Sequence, residues 1–529
     1  MPEIQKHEVV HHLRQATSQL LAELNAWDNT KPDTVTGDIL EIQSYLKSQL
    51  LDSPDLITRV LVSGIGVQVL VAYIDGLVDT VMVDQDIIAP ILKSQTLPEK
   101  WDTETLHTGQ VTKETRWTKI WPKLLRGNTI ICAQEQSAVW VVDTVKYMQR
   151  PVSRPETEAA IRGPQEAFNE IVLTQMNQIR RRLPDNRLTF QKVQLGTVDQ
   201  HQVIVVALRG VVNPGLLETV MYRLHRIHMD AIPNATQVGS LIRDHPRSIF
   251  PTLRYTEHVD FVVWGLEQGK IAVLVDGDPF VIVLPATLWD FYQTPMDYNS
   301  PWYDASFVRF IRIAGFFVTL YFPSLYIVFT TTNQNLVPYQ LLTTIIGSHI
   351  GLPFPPILEA ILMIFVIEII REAALRLPKA LSTVLGTMGA IVVGTAIVKA
   401  GFVSSQIIVI MTVTALSFYS VPAYELVGSW RLVNFVLLAS AQFWGLFGVL
   451  WVSLALVVEL DSMVSFGVPY LSPWIPVNWR SLKDSVVRLP LGQWRQRLGS
   501  IRPPRMSWNR TSFSKIGHPR LRYHQNRQR

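Results

Sequence analysis

Cysteine is all but missing from this chain. Of 529 residues only Cys132 carries a thiol, which excludes an intrachain disulfide and fits a reducing compartment. Negative charge is scarce over one long stretch: between Ile313 and Val458 the only carboxylates are Glu359, Glu368, Glu372 and Glu425. Acidic residues nearly vanish again from Ser465 to Arg529, where Asp484 stands alone among many lysines and arginines. The N-terminal MPEIQKHEVVHHLRQATSQL has no apolar core of the kind a signal peptide needs, so the region behind it is expected to stay in the cytoplasm. Signatures of catalysis are missing too. There is no GxGxxG and no Walker-type phosphate loop. His11 and His12, and the pair His225 and His228, lack cysteines or carboxylates at a zinc-binding spacing, and Ser404 and Ser405 lack a nucleophile-elbow setting. The expectation is a protein that is not an enzyme and carries no cofactor and no metal.

What is present divides in two. The length suggests about three units at roughly 150 residues each, and a composition of 48% hydrophobic and 17% charged residues is apolar for a soluble protein yet too polar for one wholly in a membrane. From Met1 to Pro301 charges of both signs are scattered throughout. Beyond that point a membrane half begins, and it ends in a basic tail. Beside an apolar bundle such a tail reads as a cytoplasmic segment facing anionic lipid, with no nucleic-acid partner expected.

Two places in the soluble half share a plan, VLVAYIDGLVDTVMVDQDII (69–88) and VIVVALRGVVNPGLLETVMY (203–222). Each is a β-branched run closed by a glycine, Gly76 or Gly210, and followed by a helical pattern. Each unit later repeats a glycine and two short apolar runs about a polar turn, GNTIICAQEQSAVWVV (127–142) and GKIAVLVDGDPFVIVLP (269–285). Asp276-Gly277-Asp278-Pro279 is a strong turn signal in the second copy; Gln134-Glu135-Gln136-Ser137 is its decayed counterpart. The expected fold class is an α/β cytoplasmic region of two related subdomains followed by an all-α polytopic membrane domain. Its boundaries are an N-terminal extension 1–34, subdomains 35–150 and 156–300, a transmembrane domain 307–460 and a cytoplasmic tail 461–529. Two unrelated α/β folds with ordinary strand signals are the alternative.

Four uncharged or nearly uncharged runs mark crossings: Ile313–Thr330, Leu381–Ala400, Ser405–Val421 and Leu432–Val458. In the second, Gly386, Ala390 and Gly394 recur every fourth position and form a candidate helix-packing seam. The segment 339–379 is different. Gly351 to Pro356 must break any helix, and the part after it holds Glu359, Glu368, Arg371 and Glu372, the last three crowding one side of a helix. A charge at membrane depth costs about 2.5–3.5 kcal/mol on insertion scales, so such residues face a water-filled path or each other. An ion-path surface, an interfacial amphipathic helix and a salt-bridged structural knot all fit. Four crossings return the tail to the cytoplasm but leave Arg371, Arg376 and Lys379 outside; a fifth, at 339–379, reverses both. The larger charge of the tail favours four crossings with 339–379 re-entrant or in-plane.

Read together, YIDGLVD (73–79), IRGPQEAF (161–168), IRRRL (179–183), YTE (255–257), VDGDPFVIVLPATLWDFYQTPMDY (275–298), PFPPILEAILM (353–363), REAALRLPKALSTVLG (371–386), VPAYEL (421–426) and SFGVPYLSP (465–473) resemble the A subunits of GerA-type spore germinant receptors. The resemblance runs from Tyr73 to Pro490. It implies a multi-pass spore inner-membrane protein that works with receptor B and C subunits, forms a homo-oligomer and couples nutrient sensing to release of monovalent cations. By that analogy Glu359, Glu368, Arg371 and Glu372 lie at or near the ion path. A non-conducting scaffold that clusters receptors, and a SpoVAF-like amplifier of germination, are the alternatives. The segment Pro246 to Pro251 departs from the family pattern ahead of YTE.

Overall fold

The computed structural model describes residues 33–146, 162–376 and 399–477 apart from 99, 100, 102, 104, 105 and 233, with isolated positions between 155 and 158, at 395 and 396, and between 482 and 504. The first α/β unit opens with α1 (Ile39–Leu50), started by Asp38, whose carboxylate accepts from the Leu40 amide. Its buried Ile39, Ile42, Leu46 and Leu50 form one apolar face against the sheet. The hairpin β1 (Leu56–Val62) and β2 (Gln68–Ile74) follows, then a helical stretch over 80–93, the strand β3 (Val111–Glu114), α2 (Trp117–Leu124) and the hairpin β4 (Asn128–Ala133) and β5 (Val139–Asp143).

The second unit repeats that order: α3 (Val172–Arg182), hairpin β6 (Leu188–Leu195) and β7 (His201–Leu208), helices α4 (Pro214–His225) and α5 (Ala235–Ile242), strand β8 (Arg254–Thr256), α6 (Val259–Gln268), and hairpin β9 (Ile271–Val275) and β10 (Val281–Leu284). The sheets run β1-β2-β4-β5-β3 and β6-β7-β9-β10-β8, antiparallel at every pairing. The repeated glycines sit at matching corners, Gly76 with φ +77° and Gly210 with φ +75°, where a side chain is strained. The turn that looks decayed in sequence is kept: Glu135 takes φ +64° there, and the Gln136 amide donates to the Ala133 carbonyl. β2 and β7 are buried on both faces because helices cover both sides of each sheet, which explains their unbroken apolar runs.

The two units are clasped. Arg180 on α3 reaches Asp55 ahead of β1 with Nε–Oδ2 at 2.7 Å and Nη2–Oδ1 at 3.1 Å, both side chains fully buried. Gly76 lies against the Asn177 side chain one turn earlier, with no room for a Cβ.

The helical part begins with α7 (Trp302–Ile327), which continues through residues 328–332. It is followed by α8 (Tyr339–His349), α9 (Pro356–Arg376), α10 (Ser405–Phe418) and α11 (Tyr424–Ser462). Among the described residues two helices are long and apolar enough to cross a bilayer, Trp302–Thr332 and Tyr424–Ser462. The expected break between α8 and α9 is present, but α9 is a continuous helix of 21 residues. The crossing expected over 405–421 is a 14-residue helix, about 21 Å at 1.5 Å per residue. Most of that over 381–400, Gly386, Ala390 and Gly394 included, lies outside the described residues.

The single crossing expected over 432–458 is corrected. α11 breaks at Gly445 (φ 58°, ψ −141°) and doubles back. Ser429, on its first arm, donates to the Ile249 carbonyl at 2.5 Å, and Met463, just past its second arm, meets Ser248 at 3.5 Å. Neighbouring residues of one loop therefore hold both ends of the hairpin. Asn333, beyond the far end of α7, fixes the bend by accepting from the Leu446 amide at 3.1 Å.

Candidate functional site

The four ion-path candidates, Glu359, Glu368, Arg371 and Glu372, fall into three places. Glu359, on the first turn of α9, is fully buried. One oxygen faces His349 Nδ1 at 3.0 Å and the other accepts from the Ser404 amide at 2.7 Å, at the N-cap of α10. His349 Nε2 in turn lies 3.0 Å from the Tyr326 hydroxyl on α7. Three elements thus meet on one carboxylate, and a fourth, α7, joins through His349, at the end of the bundle remote from the sheets.

Glu368 lies nine residues further along α9, towards the sheets. Arg371 Nη2 approaches one of its oxygens at 2.5 Å and Arg431 Nε, from the first arm of α11, the other at 2.7 Å. Beside this trio is a cavity of about 30 Å³ lined by Glu368, Thr414, Arg431 and Asn434 among apolar side chains, space for about one water molecule. Asn434 Oδ1 is buried without a hydrogen-bond partner in the structure.

Glu372 does not join the trio expected of it. It pairs instead with Arg376 at 2.6 Å on an exposed face. Two like charges four residues apart repel, and each takes its own guanidinium. Glu359 is likewise separate from Glu368, so the four residues form three sites rather than one.

Three further charged sets, silent in the sequence, lie at or beside the join between the α/β region and the helices. Asp297, in a capping box with Thr294, receives Arg309 at 3.1 Å and Arg312 at 2.8 Å from the start of α7. Lys270 and Asp290 form a nearly buried pair at 2.6 Å. On the other side Arg254 of β8, 2% exposed, bridges Glu158 and Glu425, the latter at 3.5 Å. Glu425 also accepts from the Tyr255 amide at 3.2 Å. Burial pushes the Tyr255 hydroxyl up to about 12, with the Glu425 charge adding to the effect. Only the motifs hinted at these pairs: Arg254 adjoins YTE, Glu425 is in VPAYEL, and Asp290 and Asp297 are in the long run ending at Tyr298.

A family model described as Bacillus/Clostridium GerA spore germination protein matches residues 44–499. The chain belongs to the GerA spore germination family. Spore germination protein KA of Bacillus subtilis is 32% identical over 470 residues, 88% of this chain and 86% of its own length. The membrane protein YfkQ of the same organism is 30% identical over 450 residues, 84% and 88% of the two chains. Among solved structures, the N-terminal domain of the A subunit of the Bacillus megaterium spore germinant receptor GerK3 aligns at 23% identity and a TM-score of 0.39, covering 49% of this chain and 99% of that one.

Proposed function

We propose that this GerA-family chain is the A subunit of a nutrient germinant receptor in the spore inner membrane, and that it forms or gates a path for monovalent cations. Receptor B and C subunits and further copies of this chain are its partners, with the α/β region and the basic tail on the cytoplasmic side. The observation that carries the reading is α9, a helix of 21 residues that brings a buried carboxylate and a carboxylate–guanidinium trio into an apolar bundle. Charge is retained at such depth where it serves conduction or its control. With both Glu368 oxygens engaged by guanidinium groups, the arrangement corresponds to a closed path.

The bundle also supports a topology that resolves the charge conflict in the sequence. The Glu359 end of α9 lies by Tyr326, late in α7, while Glu368 lies by Arg431, whose neighbour Trp430 packs on Phe316 nearer the start of α7. α9 therefore runs opposite to α7. Arg376 and Ser404 lie at opposite ends of the bundle, so we count one further passage between them, the apolar run 381–400 of the sequence with its candidate packing seam Gly386, Ala390 and Gly394. With the two arms of α11 counted separately there are six passages. Arg371, Arg376, Lys379 and the tail then all fall on the cytoplasmic side, as the positive-inside rule asks.

Reconstitution tests the reading: the chain, with its partner subunits, is expected to give a cation leak in liposomes that Glu368→Gln changes. No conductance with or without nutrient refutes it. The complete pairing of Glu368 favours one second reading, a non-conducting scaffold, for which Glu359→Gln, Glu368→Gln and Glu372→Gln spores germinate normally.

A further inference from the structure

The first two turns of α11 touch both the α/β region and the charged helix. Glu425 takes the backbone amide of Tyr255 on β8, the edge strand of the second sheet, satisfying a donor that no neighbouring strand covers. The same carboxylate faces the buried Arg254, whose other partner is Glu158 from the segment between the two α/β units. One turn on, Ser429 donates to the Ile249 carbonyl, and the Trp430 ring meets Phe250 at 5.1 Å and Phe316 at 4.7 Å. Arg431 then holds Glu368 at 2.7 Å. From Glu425 to Arg431 the helix rises only about 9 Å at 1.5 Å per residue, too short to bend between its two grips. Strand β3, the counterpart of β8 in the first sheet, pairs with β5.

We propose that Glu425 and Arg254 are a positioning pair through which the α/β region sets the Arg431–Glu368 contact, so that a shift of strand β8 moves the root of α11 and loosens its hold on α9. The proposal rests on the reading of α9 as bordering the ion path. Four carboxylates serve the whole stretch from Ile313 to Val458. Glu359, Glu372 and Glu425 are engaged elsewhere, so once Arg431 leaves Glu368 no other carboxylate of that stretch is free to replace it. Two arrangements of such a contact differ in free energy by the loss of a partly desolvated ion pair, which makes it a discrete element of the kind that coupling requires.

The test uses spores carrying the complete receptor, in which nutrient-triggered release of monovalent cations and the amount of the chain in the membrane are measured together. Glu425→Gln and Arg431→Gln are each expected to change the release rate per molecule at least tenfold. The double variant is expected to match the stronger single one, because groups acting in series are not additive. Glu425→Asp, which keeps the charge, is expected to restore the rate to within threefold. A parental rate per molecule in Glu425→Gln overturns the proposal, and so does a double variant equal to the product of the singles. Glu368→Gln separates the two levels: a parental rate there sinks the ion-path reading itself. A changed rate in Glu368→Gln with a parental rate in Glu425→Gln sinks only the coupling.

Discussion

The clasp between the α/β units offers the clearest energetic test. Arg180 and Asp55 are both fully buried and joined by two hydrogen bonds, and the Ser53 hydroxyl donates to Asp55 at 2.5 Å. The guanidinium also lies 4.8 Å above the Phe190 ring. Asp55→Ala leaves that charge in place with neither its partner nor water. Removing one member of a buried pair costs about 3–5 kcal/mol, and for a unit of 150–250 residues each kcal/mol moves the midpoint by about 2–4 °C. The product is a fall of roughly 6–20 °C in the unfolding temperature of the α/β region. Thermal unfolding of the detergent-purified full chain, read by protease cleavage within residues 33–300, measures it. The double variant Asp55→Ala with Arg180→Met removes both charges, and is expected to recover most of the loss. A fall smaller than about 3 °C in the single variant, against the cost of an orphaned buried charge, or a double variant no better than the single, refutes the argument.

Further outcomes can be checked with less effort. Cys132 lies in the core of the first sheet, and burial pushes its thiol up to about 12; it is therefore expected to resist maleimide at pH 8 and to label only when denaturant opens the sheet. Gly445→Ala puts a methyl group against Asn333 and Thr332 at a backbone conformation reserved for glycine, at a cost of about 1–3 kcal/mol before the clash is counted. Less of the chain in the membrane is the expected result, and unchanged abundance with unchanged melting speaks against a fixed hairpin bend. Cysteines placed at 376 and 461 are expected to label from the cytoplasmic side and one at 335 from the opposite side; labelling of 376 and 335 from the same side excludes six passages.

Much of the α/β region was legible before any coordinates. The apolar runs ending in Gly76 and Gly210 mark strands with turns that demand positive φ, and the hairpins after Gly127 and Gly269 carry an alternation of apolar run and polar turn. The edge strands β3 and β8 were not legible. Val111–Glu114 reads as polar because it lies at a sheet margin, and Arg254–Thr256 is too short for any period to show. The buried charges of α9 stood out because charge is rare around them, but their partners did not. Arg431 is 63 positions from Glu368, and Arg180 is 125 from Asp55; such distances are closed by topology, to which local pattern is blind. The reversal at Gly445 was hidden for the opposite reason. A bend inside an apolar run needs no polar residue to mark it, since the bundle itself supplies the one acceptor, Asn333, that the exposed amide requires.

That same reversal bears on how the chain is made. A membrane hairpin ordinarily closes through a loop that must be carried across the bilayer, and each polar residue in the loop has to be dehydrated on the way. Here the closure is a glycine flanked by Trp444 and Leu446, with no charge anywhere from Leu432 to Val458. In the six-passage topology proposed above, the two arms enter the lipid together from the side on which they were synthesised, drawn in by their own apolar surface.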